Sequence, residues 1–587
     1  MSRNEAPDPG AEALQVDRAG PPSDRPGLAL VAILAVGAAL RTVHLGRLSL
    51  WYDEVVTMQL ARQESSAALL DLLHRIDATR APLHPLLLRG WLALFGTSEV
   101  AGRSLSAASG VLTILLVFWI GRQAYGIRTA LWGAWLCALC PVLVRWSREV
   151  RMYACLTAVC CLAWGLLLSM RRSAPLGKQA AYAATLAAMV YLHPLGLLMV
   201  GALGLAYLVD RPASRLSWPC WLAGQAVVVL AIAPWILHYL TNSPTYPLDR
   251  YPIRFLIGMP IGFIGGNSRV LLVCLALIAW GLILRGWPRG DPGGMPRPLG
   301  ATRVRPIRLD HPREAALLWI WFAVPPVVLY LYSQVRHPVF GPDRYTQFVA
   351  PAYLLLVARG LVKLPPIPRL GLAGAGAVLS ALLMQSLVFD PEIKADWRAA
   401  SAAIARDGPG GKVVILSDDG PFAAVAAEAP RYYLGPATEV IVLDKDRAAA
   451  RASDGSLAPP LYVVVRKSDV RPATWIPEDF LAPSRSVEVW DFPGLRLLAL
   501  LERPKVGPPS QCAVGRRDRD KSGAMRRSRR SARGRPSRIA HQPLASRAAA
   551  RSGGAGVASS RWAMILSGST PSASAWKVVT IRWRRTG

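Results

Sequence analysis

Three short stretches combine acids, arginines and aromatics in a way that could do chemistry: Trp51-Tyr52-Asp53-Glu54, Ser147-Arg148-Glu149-Val150-Arg151-Met152-Tyr153 and Asp343-Arg344-Tyr345. A positioned carboxylate can take a proton from a hydroxyl, and a guanidinium offers two parallel donors to a phosphate while staying charged. Asp53 is the candidate base. Glu54 is either its partner or a helix N-terminal charge, and Glu149 is a second acid that positions an acceptor or orients a basic neighbour. Arg344 and Arg151 are the candidate phosphate-binding residues, with Arg148 and Arg336 as alternates. His84, His193, Tyr153 and Tyr345 are candidates for substrate binding, and His337 has a weaker case. Taken singly, each stretch also reads as an interfacial anchor, with aromatics at headgroup depth and arginines snorkelling. Asp53 could equally cap the helix that follows it and remain acidic. No cluster has metal-ligand spacing, no cofactor is implied, and Gly408-Pro-Gly-Gly411 does not fit a phosphate-binding loop.

These stretches must be positioned by what surrounds them, which is overwhelmingly apolar. A membrane-crossing helix needs about 20 predominantly apolar residues. Such runs recur at 26–45, 104–124, 127–146, 151–170, 178–192, 194–210, 218–239, 268–287, 314–333, 346–362 and 368–389. That predicts about eleven crossings, the fifth and sixth being short. Arginines in short loops are retained on the cytoplasmic side. The loop 285–313 holds Arg285, Arg289, Arg297, Arg303, Arg305, Arg308 and Arg313, so it is expected to be cytoplasmic. Alternation then puts 46–103, the turns near Arg148 and His193, 240–267, 334–345 and everything after Asp390 on the outer face. All three polar stretches meet there. Within the long first outer loop, Val55 to Ala61 and Pro82 to Phe95 are too short to cross and read as surface helices roofing a cavity. A carboxylate in such a partly dry place is expected to have its pKa raised.

Composition agrees with a membrane protein. Of 587 residues, 52% are hydrophobic and 18% charged, which disfavours both a disordered chain and a purely soluble one. The net charge of +31 does not make a nucleic-acid binder, because 19 Lys and Arg against two Asp between Lys505 and Arg585 place +17 of it in a short tail. That aperiodic stretch, 504–587, reads as disorder or a misassigned reading frame, with anionic lipid or glycan as the alternative ligand. The eight cysteines lie almost entirely in apolar runs. Cys137-x-x-Cys140 is read as small apolar helix residues rather than a metal or redox pair. Residues 1–25 read as a disordered cytoplasmic lead-in without a cleavable signal.

After the last apolar run the pattern changes. A helix (396–406), a strand (412–416), a helix (421–433) and strands at 438–443, 461–466 and 486–501 predict a small extracytoplasmic α/β domain over 390–503. The whole is an α-helical polytopic membrane protein with that domain appended. Position alone suggests that the domain shapes the acceptor side.

The residues also carry a resemblance. Leu48 to Gln59 (LSLWYDEVVTMQ), Ala81 to Trp91 with His84, and Arg103-Ser104-Leu105-Ser106 resemble the first outer loop of the GT-C membrane glycosyltransferases, and more narrowly the bacterial branch of the protein O-mannosyltransferase family. That branch includes lipopolysaccharide aminoarabinose and galacturonic acid transferases. Ser147 to Tyr153 is similar to its S-x-E-x-R-x-Y stretch, Tyr191 to Gly196 to its Y-x-H-x-x-G turn, and Arg344-Tyr345 with Pro351 to the start of a late helix. Arg148 departs from the family's usual uncharged residue. The resemblance covers about 26–400. It implies a GT-C domain at 26–389, catalysis at the extracytoplasmic face of the inner membrane and a polyprenyl-phosphate-linked sugar as donor. The implied acceptor is a hydroxyl of an envelope lipid, glycan or protein, as in lipopolysaccharide modification or protein glycosylation. It does not demand a metal. Membrane lipids are the expected surroundings and nucleic acid is not a partner. A multi-pass transporter or lipid flippase is the alternative, although no Gly/Pro-interrupted helix pair recurs in two halves and few ionisable residues lie at mid-membrane depth. A non-catalytic scaffold is a third.

Overall fold

The computed structural model describes residues 25–502 except 78–79, 243–249, 264–267, 284–309, 337, 342–343, 391–393, 408–411, 417–427, 436–437, 444–460, 467–484 and 494. The expectations for 1–24, most of 285–313, His337, Asp343, Gly408 to Gly411 and 504–587 lie outside the described residues. The chain separates into two compact units, one built on residues up to 48 with 53–393, the other on 49–52 and the residues from 394 onward.

The first unit is all helix. It comprises α1 (Pro26–Thr42), α2 (Tyr52–Ala61), α3 (Ser66–Asp77), α4 (Leu83–Phe95), α5 (Glu99–Tyr125), α6 (Ile127–Leu139), α7 (Pro141–Trp146), α8 (Tyr153–Ser169), α9 (Leu176–Leu192), α10 (Gly196–Asp210), α11 (Trp218–Asn242), α12 (Ile253–Phe263), α13 (Ser268–Ile283), α14 (Pro312–Val335), α15 (Ala350–Lys363) and α16 (Pro366–Leu387). Where described, the apolar runs read from the sequence are mainly helical, and the segments expected as helices at 55–61 and 82–95 fall in α2, which is almost wholly buried, and α4. By length and apolarity, α5, α11, α14 and α16 can each cross a membrane, and α12 with α13 pass as a pair. Helices of 17 residues such as α1, α8 and α9 reach only about 26 Å, short of the roughly 30 Å hydrocarbon layer.

The run 127–146 is not one helix. Pro141 disfavours a helical residue before it, and Cys140 is accordingly extended, ending α6 and restarting the chain as α7. The break leaves carbonyls of α6 without intrahelical donors. Buried Arg41 of α1 fills that need, donating from Nη1 to Ala138 O at 3.2 Å and from Nη2 to Cys137 O at 3.3 Å. Thus a charged residue inside an apolar run ties α1 to the α6 terminus and so holds the turn that follows α7.

The core runs along α5, which packs on α6 and α8, while α15 packs on α6 and α13. Trp164 of α8 stacks on Trp321 of α14 with centroids 5.0 Å apart and planes 7° apart. Trp321 Nε1 donates to Phe348 O at 3.0 Å, pinning the chain just after Arg344. At one end of α8 the arginines form ion pairs. Arg171 meets Asp210 at 2.5 Å and Glu314 at 2.8 Å, and Asp310 meets Arg359 at 2.6 Å and Lys363 at 2.8 Å. The opposite end of α8 begins at Tyr153, among the polar stretches.

The second unit carries α17 (Trp397–Asp407), β1 (Lys412–Leu416), α18 (Glu428–Leu434), β2 (Val440–Leu443), β3 (Leu461–Arg466), β4 (Arg485–Phe492) and β5 (Leu495–Glu502). The strands form one sheet in the order β2-β1-β3-β5-β4. The first three are parallel, with Val413 opposite Val440 and Tyr462, and β5 pairs antiparallel with β3 and β4. The single strand expected at 486–501 is instead this β4–β5 hairpin, turned at Pro493. Of the helix expected at 421–433, residues 428–433 are helical and 421–427 lie outside the described residues. Leu50 N donates to the Tyr433 hydroxyl at 2.8 Å, and Ser49 Oγ to Ala395 O at 2.7 Å, so 49–52 belongs with this unit.

Candidate active site

Asp53 opens α2, where two acids in the first turn face the positive helix end. Three guanidiniums from three loops converge on its carboxylate. Arg344 Nη2 is 2.5 Å from Oδ2, Arg151 Nη2 is 3.6 Å from Oδ2, and Arg80 Nη2 is 3.9 Å from Oδ1. Arg344 is held from behind, because its Nε donates to the Tyr153 hydroxyl at 2.6 Å. The Tyr153 ring is buried against Trp146, His193 and Tyr345. Tyr345 and His193 are 5.9 Å apart, centroid to centroid. Asp53, Arg151, Arg344, Tyr153, Tyr345 and His193 are therefore brought together, and His84 feels the charges of Arg151 and Arg80 from the same cluster.

Charge sets the protonation of this cluster, and for Asp53 the expectation of a raised pKa is overturned. Burial pushes the carboxyl up, but Arg151, Arg344 and Arg80 together outweigh it and hold the group at about 2. A dry cavity alone would raise the value, and the convergence of guanidiniums that reverses it is not visible in the sequence. His84 and His193 go down to about 3, through burial and then the same arginines, so both are neutral. Leu195 N donates to His193 Nδ1 at 3.1 Å, leaving Nε2 to carry the proton as a donor. Among the described residues, buried His84 Nε2 and Arg151 Nε have no hydrogen-bond partner. Tyr345 is pushed up to about 12: Arg344 pulls it down, while burial, Tyr153 and Asp53 push it up.

Glu54 is one residue from Asp53 yet faces a different partner. Its carboxylate accepts from Arg103 Nε and Nη2, both at 2.9 Å, with the two side chains 0% and 1% exposed. Glu54 Oε1 also accepts from Val150 N at 2.9 Å, and Arg103 Nη1 donates to Leu45 O and Leu48 O at 2.9 and 2.7 Å. Glu99 and Glu149 add their charge to Arg103. Glu54 and Glu149 thus gather at Arg103, a buried joint that fixes the α2 start to the Glu149-Val150 turn. Arg148 is not brought to Asp53. It donates to Leu40 O at 3.0 Å and lies 4.9 Å over the Phe389 ring. The exposed alternate Arg336 has no contact with the cluster given by an ion pair or hydrogen bond among the described residues.

Sequence reasoning missed Arg80. It follows a stretch with similar charge at Arg75, and only the approach of the α3–α4 connection to α2 distinguishes the two: Arg75 pairs with Asp71 on the surface. Among the described residues no group of three His, Cys, Asp or Glu could hold a metal ion.

Comparisons place this geometry. Residues 79–238 match the family model described as dolichyl-phosphate-mannose-protein mannosyltransferase. No curated protein matches the chain. The crystal structure of ArnT from Cupriavidus metallidurans in the apo state is similar at a TM-score of 0.52 and 15% identity, covering 80% of this chain and 97% of that one. The same protein bound to undecaprenyl phosphate matches at 0.51 and 15%, covering 82% and 99%. The oligosaccharyltransferase of Archaeoglobus fulgidus in the apo form aligns at 0.43 and 13%, covering 76% and 70%. Residues 79–238 thus carry a match to the mannosyltransferase family model, and four fifths of the chain shares the fold of ArnT, a GT-C fold.

Proposed function

We propose that the enzyme moves a monosaccharide from a polyprenyl-phosphate donor to a hydroxyl of an envelope acceptor on the extracytoplasmic face. The observation that carries this is one buried carboxylate, Asp53, met by three guanidiniums, Arg344, Arg151 and Arg80, that come from stretches far apart in sequence. A site outside the cytoplasm has no access to nucleotide sugars, so the activated sugar must arrive on a lipid phosphate. ArnT bound to undecaprenyl phosphate supports that donor class.

In this reading Arg344, Arg151 and Arg80 receive the donor phosphate. The acceptor oxygen forms a bond to the anomeric carbon as the bond from that carbon to the phosphate oxygen breaks. The electron pair leaves on the polyprenyl phosphate, and the hydroxyl proton moves to Asp53. Arginine charge stabilises the growing negative charge of the phosphate, the transition-state feature that electrostatic catalysis exploits. Neutral His193, with its Nε2–H, and His84 serve as hydrogen-bonding groups for sugar or phosphate. Tyr153 positions Arg344, and Glu54, Arg103 and Glu149 hold the acid-bearing segments in place. The 390–503 region serves acceptor choice, a role that unchanged acceptor use after deletion of 395–503 would remove.

The test is Asp53→Asn in the full chain. Transfer of labelled sugar from a polyprenyl-phosphate donor to envelope acceptors should fall about 10² to 10⁴-fold at normal expression. Unchanged envelope glycans would point to transport or scaffolding. Cysteine labelling that put positions 53 and 344 on the cytoplasmic side would remove the extracytoplasmic assignment.

A further inference from the structure

We infer that Asp53 occupies the place that the donor phosphate takes on binding, so that phosphate and carboxylate compete for Arg344 and Arg151, and phosphate binding frees the carboxylate to accept the acceptor's proton. This rests on the assignment of the donor phosphate to these arginines. Three features of the site support it.

The first is the way Arg344 is held. Its Nε donates to the Tyr153 hydroxyl at 2.6 Å, so the guanidinium has an anchor that does not involve Asp53. Its Nη2 meets Asp53 Oδ2 at 2.5 Å. Carboxylate and phosphate oxygens accept guanidinium donors in the same planar geometry. An anion arriving at Arg344 therefore meets a donor already taken.

The second is the charge balance. Arg80, Arg151 and Arg344 surround one carboxylate, and Glu54, Glu99 and Glu149 give their charge to Arg103. Three guanidiniums thus face one carboxylate, and a phosphate, above all the dianion that departs once the sugar has left, is an anion that such donors bind.

The third is the chemistry of the base. Surrounded by arginines, the Asp53 carboxylate is held at about 2, a weak proton acceptor. Each guanidinium drawn toward a phosphate removes one influence that favours the charged carboxylate, so its proton affinity rises. The base becomes competent only when the leaving group is in place. Donor binding would then precede proton removal, which protects a lone acceptor from unproductive deprotonation.

The experiment measures binding of undecaprenyl phosphate to the purified full chain in detergent. Asp53→Asn should bind about tenfold more tightly than wild type, the loss of one charge-assisted competitor. The gain should vanish in an Arg344→Gln background, which itself binds more weakly than wild type. If Arg344→Gln and Arg151→Gln both weaken binding while Asp53→Asn leaves it unchanged or weaker, competition is overturned and the phosphate assignment stands. If neither arginine variant changes affinity, the phosphate assignment itself fails. A measurement on wild type guards against a variant that does not fold. With ¹³C-labelled aspartate, undecaprenyl phosphate should shift a carboxylate stretching band in the infrared difference spectrum, and an unchanged band overturns the inference.

Discussion

Arg344 Nη2 lies 2.5 Å from Asp53 Oδ2 across 291 positions of sequence, and its Nε lies 2.6 Å from the Tyr153 hydroxyl. One guanidinium therefore joins the start of α2, the start of α8 and the loop before α15. Arg344→Lys keeps the charge but replaces the planar fork by a point charge that cannot hold both partners in one plane. Loss of one charge-assisted bond of roughly 1.5–3 kcal/mol lowers kcat/KM by about 10 to 100-fold. Tyr153→Phe, which removes only the anchor behind Arg344, should lower it less. Equal activity of wild type and Arg344→Lys in a donor-limited transfer assay would exclude the two-sided role of this arginine.

The Glu54–Arg103 pair makes a different prediction, because it is a matter of stability. Both side chains are almost fully buried, and removing one partner leaves an uncompensated charge in the core. Glu54→Gln should cost about 3–5 kcal/mol and Arg103→Met a similar amount, read as lowered thermal unfolding in detergent. The double variant Glu54→Leu with Arg103→Met should recover much of that loss, since no charge is then stranded. Additive losses in the double variant would show that the two residues do not act as a pair.

Acid should destabilise the fold through His84. The unfolded chain protonates this histidine near 6.5, whereas burial and then Arg151 and Arg80 keep it neutral down to about 3 in the fold. Between those values the unfolded state binds more protons, so stability rises with pH there and falls as pH is lowered. The loss amounts to about 2 kcal/mol at pH 5, since each pH unit is worth about 1.4 kcal/mol. Asp53 adds a second window. Its folded value of about 2 lies below the ordinary 3.8, so the stability from its arginine pairs is complete above about pH 4 and lost between there and pH 2. His84→Phe should about halve the fall in melting temperature between pH 7 and 5, His193 supplying the rest because it too is held down to about 3, and leave the drop below pH 4. An unchanged slope between pH 7 and 5 would assign that lability elsewhere.

Much of this architecture was legible because a membrane imposes length and polarity on helices. The runs at 104–124 and 314–333 announce themselves, and the acids after the first run stand out against apolar surroundings. Pro141 carried the signal for the break at Cys140, but an unbroken apolar count masked it. The site was legible only in its members. Nothing in sequence spacing says that Glu54 turns to Arg103 while Asp53 next to it turns to Arg344, because that division depends on which helix face each residue of the first α2 turn presents. Arg80 was missed for the same reason: its loop meets α2 only in the folded bundle. The pKa of Asp53 follows from that convergence, so its direction could not be read before the partners were known.

The packing of α13 on α15 depends on glycine. A Cβ on Gly360 would fall on the Leu277 carbonyl, and one on Gly281 would come within 3.0 Å of Gly360 N and 3.2 Å of its Cα. In lipid, where helix association relies on close packing rather than on exclusion of water, small residues let backbones approach in this way. The same contact sets the position of Lys363, whose Nζ donates to Gly281 O at 2.6 Å and meets Asp310 at 2.8 Å. Gly360→Val should therefore force the two helices apart and weaken both interactions, with a cost of about 1–3 kcal/mol from overpacking. Gly371→Ala is the control, because nothing lies within 4 Å of a Cβ at Gly371. Detergent-solubilised Gly360→Val should unfold at lower temperature than Gly371→Ala, and similar melting of the two would show that α13 and α15 are free to move apart.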